Sequence, residues 1–130
     1  MELSERIVDA NLEENGVWMD YYDGSKIKLA SIRSRRFREA KERIEKPYER
    51  LIKRDILPKE RKEELEARMI SEGLLLDWSG FENHGQELPF SREVAYKLVK
   101  EQSWFRIDVL TMAADEAAYR KEDVEEVAKN

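Results

Sequence analysis

His84 is the only histidine in this 130-residue chain, and so the only side chain whose ordinary pKa suits proton transfer near neutrality. It lies in Glu82-Asn83-His84-Gly85, a run that reads as an exposed turn. A metal site there would need further ligands from Asp77 or Glu82, and no spacing matches a zinc or calcium pattern. The absence of cysteine removes a thiol nucleophile, a thiolate cluster and a disulfide framework. There is no phosphate-cradling glycine loop, nucleophile elbow or dinucleotide fingerprint. The 29 carboxylates could include a catalytic pair, but helix surfaces supply such pairs everywhere. The sequence therefore predicts no catalytic residue, metal or cofactor, and points away from an enzyme.

Two other residue patterns bear on binding. The first is a basic stretch that includes Arg33, Arg35, Arg36, Arg38, Arg43 and Arg50. From Lys26 to Lys62 there are 15 bases and 6 acids, against 9 bases and 23 acids elsewhere. Such a stretch could face nucleic acid, where each phosphate contact releases counterions. It could equally be a solvated helix laced with ion pairs, because Glu39–Arg43, Glu42–Lys46 and Glu49–Lys53 all have the favourable acid-first spacing. With the overall charge of −5 and no zinc-finger or helix-turn-helix signature, the ion-paired reading is preferred, and nucleic acid is not an expected partner.

The second pattern is aromatic. Trp78, Phe81 and Phe90 punctuate a polar run from Asp77 to Phe90, and Trp18 and Tyr21 lie in a β-rich segment. Aromatics in a loop either fold back to cap a core or stand out as anchors for a partner. Trp78 suits the first role, and both can hold for different residues. Together with Trp104, Phe105 and Met112 near the C-terminus, these five are the candidate partner-binding residues.

The elements that must position them follow from periodicity. Val17 to Tyr22, Asp23-Gly24 and the alternating Ser25 to Ile32 predict a β-hairpin with Ile27 and Leu29 inward. Phe37, Ala40, Ile44, Tyr48, Leu51 and Ile52 mark one helix face, with Pro47 breaking it and opening a second short helix. A helix is expected from Lys59 to about Leu76, then a long loop at residues 77–90. Ser91 and Ser103 are expected to cap helices running to about Glu101 and about Val127. The last helix carries two apolar stripes: Trp104, Ile107, Leu110, Ala114 and Ala117, and beside it Phe105, Val109 and Met112. A stripe that wide marks a central helix or one that keeps a face for a partner.

The fold expected is α+β, mainly α with a small N-terminal β-hairpin, a compact helical domain of about four to five helices. One domain is expected over 1–130, with 1–32 as the hairpin-bearing segment and 33–130 as the helical body. The 41% charged content, far above the usual ~25%, predicts heavily solvated outer faces. No apolar run approaches the ~20 residues of a membrane span, and the acidic start, Met1 to Glu5, does not read as a signal peptide. The expected compartment is the cytoplasm, and the dipolar charge pattern suggests a homo-oligomer.

Several segments together resemble the tail assembly chaperones of long-tailed bacteriophages and prophages. They are Gly16-Val17-Trp18-Met19-Asp20 with Asp23-Gly24, Lys26-Ile27-Lys28-Leu29-Ala30, and the Phe37 to Pro47 stretch. The others are Leu75-Leu76-Asp77-Trp78-Ser79-Gly80, Leu88-Pro89-Phe90-Ser91, and the ending Glu125 to Asn130. The resemblance implies a protein that binds the helical tape-measure protein, keeps it soluble and helps recruit tail-tube subunits. It implies action in the host cytoplasm, absence from the finished virion, and often a longer frameshifted form. The alternative is a nucleic-acid-binding accessory protein of a mobile element, using the Arg33 to Arg54 surface.

Overall fold

A computed structural model describes residues 1–121 of the chain. Alternating Ile27 and Leu29 build strand β2 (Lys26–Leu29), which pairs antiparallel with β1 (Val17–Asp20), Val17 opposite Leu29 and Asp20 opposite Lys26. The turn between them places Asp23 at φ 55° and Gly24 at φ 80°, the left-handed region the sequence anticipated there. A third strand, β3 (Leu75–Ser79), pairs antiparallel with the other edge of β2, with Ile27 opposite Trp78 and an irregularity between Lys28 and Leu29. The sheet order is β1-β2-β3, with Val17, Met19, Ile27, Leu29, Leu75 and Trp78 buried.

This corrects the expected architecture within the α+β class: the chain carries a three-stranded antiparallel sheet and a second small sheet, not one N-terminal hairpin on a helical body. The second sheet pairs β4 (Glu82–Asn83) with β5 (Gln86–Glu87) inside the segment expected to be a loop. His84 and Gly85, both at positive φ, make its two-residue turn. The physical reason lies at Gly73. Helix α4 (Lys59–Gly73) ends there, and the unbroken apolar run Leu74-Leu75-Leu76 carries no period that separates helix from strand. It becomes a strand because β2 offers it a free edge.

The helices follow their caps. Ser34 Oγ accepts from Phe37 N at 3.1 Å and starts α2 (Arg35–Glu45). Pro47 sits in a 3₁₀ turn, Lys46–Tyr48, which leads into the short α3 (Glu49–Lys53). α4 packs along α2, and Gly73 allows their close approach, since a Cβ there would meet Phe37 Cα at 3.1 Å. Upstream, α1 (Ala10–Asn15) is capped by Asp9, and Gly16 follows it at φ 84°. A Cβ on Gly16 would lie 2.6 Å from Leu76 Cδ1. Ser91 caps α5 (Arg92–Glu101) as predicted, its Oγ accepting from Val94 N at 3.1 Å. Arg92 donates to Leu75 O at 3.0 Å, tying α5 to the sheet.

The final helix departs from expectation at both ends. Gln102, not Ser103, is the cap residue of α6 (Ser103–Ala114). The helix stops at Asp115, whose extended backbone and carboxylate start a 3₁₀ turn, Glu116–Tyr119, by accepting from Ala117 N at 3.1 Å. That turn buries Tyr119, whose hydroxyl donates to Leu29 O at 3.1 Å, while Asp9 N donates to Tyr119 O at 2.9 Å. The helical stretch expected up to Val127, and the ending Glu125 to Asn130, lie outside the described residues. The main core joins the sheet's inner face to α4, α5 and α6. A second cluster of Ala40, Ile44, Leu57 and Leu65 lies between α2 and α4.

Candidate interaction surface

The aromatic residues from three separate segments converge. Trp78 is 5% exposed and donates from Nε1 to Leu88 O at 2.8 Å, folding the segment after β3 back over the core. Its ring stacks on Phe81 at 4.6 Å and meets Phe90 edge-on at 5.0 Å. Tyr21, from the hairpin turn, lies 6.0 Å from both Phe81 and Phe105. Its hydroxyl donates to Asp108 Oδ2 at 2.6 Å. Burial, and after it this bond to the carboxylate, pushes the Tyr21 phenol above its ordinary pKa. The neutral donor is thus favoured, and the hairpin is locked to α6.

Of the eight candidate partner-binding residues, Trp78 and Phe105 are therefore buried support and present no surface. Tyr21, Phe81, Phe90 and Met112 are half-buried against the core. Trp18 is exposed on the outer face of β1. Trp104 is the candidate that stands open, at 52% exposure. Beside it is a residue that sequence reasoning left out of the set: Tyr22, 64% exposed. Tyr22 was passed over because two adjacent tyrosines in a strand pattern do not say which one faces outward.

Tyr22 and Trp104 flank an open groove of about 690 Å³. Tyr21, Phe81, Leu88 and Leu98 supply its apolar lining, and Asp23 and Glu82 are the only charged residues that line it among those described. Three elements far apart in sequence build this groove: the β1–β2 turn, the segment after β3, and the junction of α5 with α6. Their mutual hydrogen bonds and ring packing fix it before any partner arrives.

The basic surface is different. Arg33 Nε donates to Glu13 Oε2 at 2.7 Å, and Arg43 reaches Glu72 Oε2 at 3.2 Å. Arg35 pairs with Glu39 at 3.0 Å. Glu14 receives the backbone amides of Arg35 and Arg36, and Arg36 Nε donates to Glu14 O. Arg38 and Arg50 make no ion pair among the described residues. Acids from α1, α2 and α4 thus pair with three of the six candidate arginines, and Arg36, like Arg38 and Arg50, meets no carboxylate with its side chain among the described residues. His84 is exposed in its turn. Among the described residues no cluster of three or more His, Asp or Glu is arranged to hold a metal. No described helix is long and apolar enough to cross a membrane.

One further surface stands out. Five residues of α6 are exposed, namely Ser103, Trp104, Ile107, Thr111 and Ala114, and none carries a charge. Ile107 is 60% exposed. In a chain that is 41% charged, an outer helix face with no charge is the exception. The two stripes read from the sequence separate here. Phe105 and Val109 are buried, whereas Trp104, Ile107 and Ala114 face solvent.

The model of the YdaY prophage protein family matches residues 32–130, from just beyond β2 to the last residue. No curated protein and no solved structure matches the chain. The match covers α2 to α6, β3 and the aromatic segment, and leaves α1 and the hairpin outside it. The chain belongs to the YdaY prophage protein family.

Proposed function

We propose that this prophage protein is a tail assembly chaperone that works by holding the tape-measure protein and performs no chemistry of its own. The observation that carries the reading is the preformed aromatic groove between Tyr22 and Trp104. Aromatic side chains offer large contact areas at low entropic cost, and an open groove with aromatic and leucine walls and a polar rim suits an amphipathic client helix. A tape-measure protein presents such stripes along its length until tube subunits enclose it. A charged exterior keeps the holder and its client dispersed, and modest affinity per groove lets tube subunits displace it. The prophage family supports the setting, and the resemblance to tail assembly chaperones supplies the client. In this reading the protein acts in the host cytoplasm, also engages the tail-tube protein, and leaves before the virion is complete.

Co-expression with the tape-measure protein of the same prophage tests it. The wild-type chain brings the tape-measure protein into the soluble fraction and co-purifies with it. Tyr22→Asp, an exposed change that leaves the fold intact by circular dichroism, lowers recovery by about tenfold, the scale of one lost anchor. An insoluble client beside abundant wild-type chain overturns the proposal, and so does undiminished capture by the variant.

A further inference from the structure

We propose that the outer face of α6 is a self-complementary seam on which a second copy of this chain packs, antiparallel, about a two-fold axis level with Val109 along the helix. The exposed residues Trp104, Ile107, Thr111 and Ala114 are spaced three, four and three apart, the rhythm of a helix-packing seam. Their order is what identifies the occupant. Positions 104 and 114 lie five residues either side of Val109, and 107 and 111 lie two either side. An antiparallel copy centred there sets the largest side chain, Trp104, against the smallest, Ala114, twice over. Ile107 then meets Thr111 of the other copy. A two-fold interface demands that one patch fit itself, and this patch grades from bulk at Trp104 to space at Ala114, so its reversed copy sets large against small.

Charge agrees with the same occupant. A face with no charged residue meets its own copy without like-charge repulsion, whereas most other outer faces of this chain would oppose like charges. Along one edge Asp108 is turned to the Tyr21 hydroxyl, and along the other Leu110 is half-buried and apolar. The area sets the strength. Two 12-residue helices meet along about 18 Å, a seam too short to bury the ~1,200–2,000 Å² of specific, stable interfaces. The dimer is therefore a weak one, with a Kd on the order of micromolar. Trp104 also borders the aromatic groove, so each seam places two grooves beside one axis and gives the holder two grips on one client.

Sedimentation equilibrium of the purified chain alone, over about 1–500 μM, tests the seam without any client, so this result and the chaperone reading stand or fall separately. The wild type goes from monomer to dimer across that range. Ile107→Glu is monomeric throughout, with its folded circular dichroism spectrum unchanged. Trp104→Ala and Ala114→Trp each weaken the dimer by about tenfold or more, the first by leaving a gap and the second by a clash. The double variant restores bulk against space and returns the Kd to within about threefold of wild type. A chain that stays monomeric overturns the seam, as does a dimer indifferent to Ile107→Glu. A double variant no tighter than its parents overturns the antiparallel register and with it the proposal.

Discussion

The outer surfaces of α2 and α6 meet the same solvent in opposite ways. α2 presents five bases, Arg35, Arg36, Arg38, Lys41 and Arg43, and looks like the active face of the molecule on any count along the chain. In space, Glu13, Glu14 and Glu72 from other helices and Glu39 and Glu45 from its own reach those bases, their neighbour Arg33 or the amides at the helix start. α6 presents no charge outward, and none of the described residues covers Trp104 or Ile107. A charged face carries its own solution with it, since water and intramolecular acids satisfy it. An uncharged face has no such solution within the monomer. Partners are therefore better sought where polar groups are missing than where they are dense.

Substitutions can break that comparison or sharpen it. The largest effect separates the two sides of α6. Phe105→Ala, in the buried stripe, costs about 3–5 kcal/mol in denaturant unfolding of the monomer. Ile107→Ala, two residues along on the open side, changes stability by no more than ~0.5 kcal/mol. Equal costs would mean that the outer face is packed after all.

Next is the lock that holds the hairpin to α6. Tyr21→Phe removes a hydrogen bond to a carboxylate and costs about 1.5–3 kcal/mol near neutral pH. Because the folded state raises the Tyr21 pKa, its contribution is complete below the ordinary value of 10.0 and is lost as pH rises beyond it. The gap between wild type and Tyr21→Phe therefore narrows above about pH 10 in thermal melts taken across an alkaline series. A constant gap would dissociate the phenol from the stability it is assigned.

On α2, Glu14→Ala leaves the amides of Arg35 and Arg36 without their acceptor and costs about 0.5–2 kcal/mol, the range of a lost helix cap. The smallest effect belongs to an exposed ion pair near the end of the basic stretch. Lys53→Ala, which breaks the contact with Glu49 at 3.4 Å, changes stability by less than ~0.5 kcal/mol.

Local signals carried much of the fold. Asp23-Gly24 marked the hairpin turn, Pro47 the helix break, Ser91 the start of α5, and Glu82 to Gly85 a turn. What escaped was non-local. Leu75 to Ser79 became a strand by pairing with residues about fifty positions earlier, and no local pattern in Leu74-Leu75-Leu76 records that partner. Ala114 and Ala117 continued a helical period across Asp115, which hid both the helix end and the buried Tyr119 beyond it. Half of the six candidate arginines of the basic stretch are ion-paired among the described residues, and of the three pairs expected there only one forms. Glu49–Lys53 forms, whereas Arg43 leaves Glu39 for Glu72 on α4. The groove was legible only as scattered aromatics, because its walls come from three segments that tertiary structure alone assembles.

The most direct test of the holding role is hydrogen–deuterium exchange on the chain, free and then bound to the tape-measure protein of the same prophage. The proposed mode of binding predicts that added protection on complex formation concentrates in residues 21–25, 80–88 and 98–104, which line or border the groove, while residues 33–54 exchange as in the free protein. Protection confined to residues 33–54, or no change at the groove in a stable complex, would contradict it.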